Sequence, residues 1–300
     1  MTRPASTTTE LVAGPLLPTG AVSRRPSSLS RLRRHRLAAV GGLGLLLLAL
    51  MALIAPLLTP HQFDQMDLDS MRQPPTWRHP FGTDDLGRDL FTRVIYGARI
   101  SLGTGLCSAA IATLVGTTIG AVAGYFGGWT DNLSMRLVDL MLSIPLLPIV
   151  IVISAVMKPT VPVLVLVIGL FGWMVTARLV RSSFLVLKAQ DFTLAAQVIG
   201  APPGRIIVCH LLPNAVAPIV VAATLSVGSA IILESILSFL GMGVQPPTPS
   251  WGNMLQDAQS TMATKPWMAI FPGLFIFISV MCVNFLGDGL RDALDPRLRV

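Results

Sequence analysis

Three lysines come first, because a phosphate-binding loop of the Walker type needs Lys followed by Ser or Thr behind a Gly-rich turn. Lys158, Lys188 and Lys265 are followed by Pro, Ala and Pro, so any ATP must be handled by another chain. The histidines His35, His61, His79 and His210 are scattered, and no Cys, Glu or second His stands at helical spacing from any of them. No metal site is expected. Cys107, Cys209 and Cys282 lie far apart, two of them inside apolar runs, and are read as buried space-fillers, not a disulfide framework. Asp84, Asp85 and Asp89 lack the Asp-x-Asp-x-Asp-Gly order of a calcium loop, which leaves turn and cap roles. There is no Gly-x-Ser-x-Gly elbow and no carboxylate pair within an apolar run, so no catalytic residue is assigned.

One intramembrane acid remains. Glu234 follows 23 uncharged residues. As a helix these cover about 35 Å, so Glu234 is expected to emerge near the outer interface. Two readings stay open for it: a place on a substrate path or gate, or a hydrogen bond between helices.

The elements that must position these residues are membrane elements. The chain is 52% hydrophobic and 12% charged, a membrane composition. Its net charge of +7 comes mainly from Arg beside apolar runs, which membrane topology explains better than nucleic acid does. Six runs, about 37–58, 100–126, 137–157, 161–180, 211–235 and 267–287, are apolar enough to span a bilayer. The predicted fold is an all-α membrane protein of six spans, with residues 1–30 a disordered tail and 31–300 the membrane domain. Arg24, Arg25, Arg31, Arg33, Arg34 and Arg36 precede the first run, which is longer than a signal-peptide core and lacks a small-x-small cleavage site, so it should stay as an anchor. That length also speaks against a twin-arginine export signal. In the third run Pro145 and Pro148 are expected to bend the helix, with Arg136 and Asp139 paired at its start. Ala112, Gly116, Gly120 and Gly124, at strict four-residue intervals, form a small-residue stripe for close packing, within the subunit or across a dimer. The polar stretch 241–266 holds a short amphipathic helix around Trp251 to Met262. Six spans put both termini on one side, and the Arg-rich tail and loop make that side the cytoplasm of a multi-pass cell-membrane protein.

Between the fourth and fifth runs lies DFTLAAQVIGAPPGRIIVCHLLPN, Asp191 to Asn214, within a loop over 185–210. Asp191 is placed to cap a helix of about two turns that Gly200 ends in a left-handed conformation. Phe192, Ala195, Ala196 and Ile199 share one face, while Leu194 and Val198 make another apolar, so the helix needs covering by its own protein and by a partner.

This segment resembles the coupling loop of binding-protein-dependent ABC importer permeases, whose pattern is Glu-Ala-Ala, then Gly, then an apolar stretch ending near Leu-Pro; Ala195, Ala196, Gly200, Leu212, Pro213 and Asn214 fit it. The strings HPFGTDDLGRDLFTRVIYGARISL from His79, LSFLGMGVQPPTPSWGNML from Leu237 and NFLGDGLRDALDPRLR from Asn284 resemble the second, C-type permease subunit of the dipeptide/oligopeptide branch, over about residues 31–299. Leu194 stands where the family has Glu, which removes half of a capping box with Asp191. The resemblance implies a type I importer architecture that moves di- or oligopeptides by alternating access. It also implies a heterodimer with a second permease, two ATPase subunits or domains that bind ATP and Mg, and an extracytoplasmic substrate-binding protein. The coupling residues would be Asp191, Phe192, Leu194, Ala195, Ala196, Ile199, Gly200 and Arg205, and the loops 59–98 and 241–266 would face the binding protein. Nickel or another small solute is the alternative cargo within the same family. A proton-driven secondary transporter would need ionisable groups near the bilayer centre, which the six runs lack, and a membrane enzyme would need a polar cluster that is not available.

Overall fold

The structure, a computed structural model, describes residues 36–157 and 160–294. Residues 1–35, which hold the tail, His35 and all of the Arg cluster but Arg36, together with Lys158 and the last six residues, lie outside the described residues. Helices dominate: α1 (Arg36–Leu53), α2 (Leu90–Phe126), α3 (Gly128–Ser143), α4 (Leu146–Val156), α5 (Val161–Leu170), α6 (Trp173–Lys188), α7 (Asp191–Val198), α8 (Leu212–Phe239), α9 (Trp251–Ala258) and α10 (Trp267–Leu294). Among the described residues there are five helices long and apolar enough to cross a membrane, or six if the bent pair α3–α4 is one span.

Most spans are longer than the apolar runs suggest. Helix α2 starts at Leu90, ten residues before the expected position 100, because Asp89 caps it: the Asp89 carboxylate accepts from the Thr92 N–H at 2.8 Å and from the Thr92 hydroxyl at 2.6 Å. Its first turns bury Leu90, Val94 and Ala98 beside Trp251 and Met268. Of the charges there, Arg99 donates to the Leu53 carbonyl at 2.9 Å. A 37-residue helix is about 55 Å long, more than a bilayer core requires.

The third span is broken, with α3 and α4 meeting at 81°. The break falls at Ile144–Pro145, while Pro148 sits inside the first turn of α4, where no intrahelical N–H is needed. Asp139 is met by Arg178 of α6, not by Arg136. A basic residue three positions before an acid on a helix is the weaker orientation, and α6 offers a better partner.

Helix α6 runs eight residues past the expected end at 180, and α10 seven past 287. A π-helical segment, Ile206–Leu211, leads into α8, so the fifth span is continuous from Pro203 to Phe239. The widened turn comes just ahead of Pro213, whose ring an unbroken α-helical ladder would not accept.

The stripe on α2 packs within the chain. A Cβ on Gly116 would come within 2.6 Å of the Trp173 carbonyl, and one on Gly120 within 2.5 Å of the Ala177 carbonyl. Gly124 faces Phe184, and Ala112 faces Gly172. Backbone therefore meets backbone along α2 and α6, as small residues at four-residue spacing allow. Of the cysteines only Cys282 is buried; Cys107 and Cys209 sit on outward faces.

Candidate functional site

The short helix α7 projects at one end of the bundle, between α6 and α8. It begins at Asp191, but Gln190 is the N-cap and no side chain caps the helix. Leu194 is therefore the fourth helical residue, and the capping-box argument about the missing Glu does not apply. Gly200 has φ +80°, as expected of the residue that ends the helix.

The inward face differs from the apolar stripe read in the sequence. Thr193 and Ala196 point into the protein; Phe192, Ala195 and Ile199 point out. Thr193 donates its hydroxyl to the Leu187 carbonyl at 2.8 Å, and Ala196 joins Tyr125, Phe184 and Ile206 in a buried cluster. The outward face is apolar: Phe192 is 41% exposed, Leu194 47%, Val198 89% and Ile199 84%. Asp191, Gly200 and Arg205 are exposed beside it. Three large apolar side chains of this eight-residue helix, and Ile199 just past its end, are left uncovered, which leaves room for a second cover.

Further along the bundle a groove of about 1070 Å³ runs between α2, α3, α6 and α8. Its wall is mostly apolar, with Met141, Pro145, Phe171, Met174, Pro218 and Leu225 prominent.

Glu234 does not emerge from the bundle. It lies inside α8, fully buried, accepting from the Ser101 hydroxyl at 3.0 Å and the Ser238 hydroxyl at 2.7 Å. Ser101 accepts in turn from the Trp251 N–H at 3.3 Å, and Ser238 from the Val244 N–H at 3.2 Å. Leu233 and Ile236 line the groove, whereas Glu234 is turned toward α2 and α9. One carboxylate thus joins three elements.

Helix α9, expected as a short amphipathic helix in a polar stretch, is an internal wedge. Trp251 is fully buried and donates its indole N–H to the Val94 carbonyl at 3.0 Å. Ser250 and Asn253 form a complete capping box, a signal present in the string SWGN. Beside it, the buried Arg88 and Arg93 meet Asp84 and Asp257. Asp84 and Asp89 therefore act as turn and cap residues. Burial pushes the Asp257 carboxyl above its ordinary range, against the pull of Arg93 and Arg88.

Long apolar helices, a groove between them and a short projecting helix with an uncovered apolar face describe a multi-pass membrane protein with a surface open to a second contact. Comparison with known proteins narrows this. Residues 116–300 match the family described as binding-protein-dependent transport system inner membrane component, and residues 27–75 match the N-terminal TM domain of oligopeptide transport permease C. The chain belongs to the binding-protein-dependent transport system inner membrane component family. It is 42% identical over 279 residues to the dipeptide transport system permease protein DppC of Alkalihalophilus pseudofirmus, covering 93% of this chain and 92% of that protein. It is 40% identical to the oligopeptide transport system permease protein OppC of Bacillus subtilis, with 91% and 89% covered. To the glutathione transport system permease protein GsiD of Escherichia coli it is 42% identical, with 90% and 89% covered.

Proposed function

We propose that this chain is the non-catalytic permease subunit of an ATP-driven importer of di- or oligopeptides. The observation that carries the reading is the apolar outward face of α7, held by Thr193 and Ala196 and joined by short links to α6 and to the fifth span, which starts at Pro203. Such a face fits a cleft on an ATPase, and the flanking helices can carry its displacement into the bundle. ATP and Mg would be bound by two ATPase subunits or domains. A second, related permease would close the groove, which is then one wall of the substrate path. Both termini and α7 would be cytoplasmic, in line with the Arg distribution. The opposite end, with the loops 59–89 and 241–266, would meet an extracytoplasmic binding protein.

The relatives' names, which mention dipeptides, oligopeptides and glutathione, favour peptides over nickel as cargo. Glu234 is a structural joint in this reading and not a gate, because both carboxylate oxygens are engaged away from the groove. The test is uptake of radiolabelled di-alanine by the complete transporter in proteoliposomes. Ala195→Arg, on the exposed face, should abolish uptake while the protein stays folded in the membrane. Undiminished uptake by that variant would sink the docking reading.

A further inference from the structure

Displacement of α7 is useful only if it reaches the groove, and two ion pairs offer a route. Helix α3 supplies Met141 and Leu142 to the groove wall. A glycine pair sets off one of its ends and a bend the other. Gly127 and Gly128 have φ +67° and +55°, with open space where each Cβ would stand, so backbone conformation alone calls for glycine there. At its other end comes the 81° break into α4. Between these two points Val138 is the one fully buried residue of α3, lying against Trp173, Met174 and Ala177 of α6.

Packing alone therefore holds α3 lightly, and charge holds it at two points. Asp131 takes both Arg181 Nε, at 2.5 Å, and Arg181 Nη2, at 2.6 Å. Asp139 takes Arg178 Nη2. The acids are eight residues apart on α3, about 12 Å, while the arginines are three apart on α6, about 4.5 Å, so the guanidinium groups fan outward. One contact would fix a position. Two contacts spread along the axis, with Val138 between them, fix an orientation as well.

Resting on the permease reading above, we propose that α3 is a hinged arm of the substrate path that α6 grips through Arg181–Asp131 and Arg178–Asp139. Arg181 and Asp131 are then positioning residues: they make the groove wall follow the coupling helix instead of swinging about Gly127 and Gly128. The bidentate pair carries the greater share, since its side chains are 33% and 13% exposed against 51% and 57% for the other.

In proteoliposomes holding the complete transporter, Asp131→Asn should keep at least half of the ATP hydrolysis and lose about tenfold in di-alanine uptake, a coupling that a charge-swap cycle can verify. The swap Asp131→Arg with Arg181→Asp should restore most of that uptake. Uptake unchanged in Asp131→Asn, or uptake and hydrolysis falling in proportion with no rescue by the swap, overturns the proposal. Should Asp131→Asn fail to fold, Asp131→Cys with Arg181→Cys, in a background free of the native cysteines, can be bridged by a short reducible reagent. The bridged transporter should work; a block relieved by reduction would mean the helices must part, and the grip is refuted. A readout independent of cargo separates this idea from the peptide reading. Spin labels at Leu133→Cys and Val186→Cys, both exposed, should hold their distance when ATP binds, and a shift of more than a few Å refutes the grip even if di-alanine proves not to be a substrate.

Discussion

Two eight-residue helices sit at opposite ends of the bundle, and they are finished in opposite ways. Helix α9 is complete in itself, with a capping box at its start, Trp251 fully buried and Gly252 pressed against the Ser235 carbonyl and the Ser238 side chain. Helix α7 has no side-chain cap, buries only Thr193 and Ala196, and leaves Val198 and Ile199 almost bare. Equal length and contrary satisfaction separate a helix that holds the fold together from one whose open apolar face is the proposed docking surface.

The largest expected effect breaks the α9 side. Trp251→Ala removes the indole and its hydrogen bond to Val94 and should cost about 3–5 kcal/mol. Thermal unfolding of the detergent-purified protein would register it as a clear fall in Tm. Val198→Asp should do the reverse: no more than about 0.5 kcal/mol of stability lost from an exposed position, yet ATPase co-purification lost. If Val198→Asp melts early while Trp251→Ala does not, the contrast is wrong.

Intermediate effects test what links the two ends. Gly120→Ala drives a Cβ to within 2.5 Å of the Ala177 carbonyl and should cost about 1–3 kcal/mol. Gly103→Ala, with nothing within 4 Å of its Cβ, is the matched control and should be neutral or slightly stabilising. Equal Tm shifts for both would mean that α2 and α6 are not in backbone contact. Glu234→Gln turns an acceptor that two serine hydroxyls share into a mixed donor and acceptor. It should cost about 1–2 kcal/mol with uptake changed less than threefold. A transport loss out of proportion to the Tm shift would return Glu234 to the path.

Much of this architecture was legible in the sequence, and the misses share a physical cause. Apolar runs locate spans because a bilayer demands them, and Gly200 was read correctly because a left-handed helix end favours glycine. Helix ends carrying charge look shorter in sequence than they are: Arg93 and Arg181 look like loop residues until Asp84 and Asp131 are brought beside them by the fold. Those partners are distant in sequence and leave no periodic trace. The inward face of α7 was misjudged for a related reason. On a helix apolar nearly all round, periodicity cannot choose a face, and the Thr193 hydrogen bond to Leu187 decides it. The wedge role of α9 is the most recoverable miss, since Ser250 and Asn253 announce a capped helix that opens on Trp251.

The smallest expected effect sharpens the α9 side by pH. Asp257 touches α9's surroundings through Arg88 Nη2 at 3.2 Å and Arg93 Nη2 at 3.7 Å, with Asp84 and Asp85 also acting on it. Burial raises its carboxyl above the unfolded value, so the folded protein takes up a proton more readily than the unfolded chain does. The stability this group contributes is fully present below the unfolded pKa and is lost as pH rises through the raised, folded pKa. Amide exchange across α9, corrected for its intrinsic pH dependence, should thus show slightly greater protection at mildly acidic pH than at neutral pH. The change should stay within about 1 kcal/mol because the group is partly solvated. Asp257→Asn should flatten the profile. Protection that falls on acidification would mean the two guanidiniums outweigh burial at Asp257, and the α9 end would then be held by charge, like α3, and not by packing.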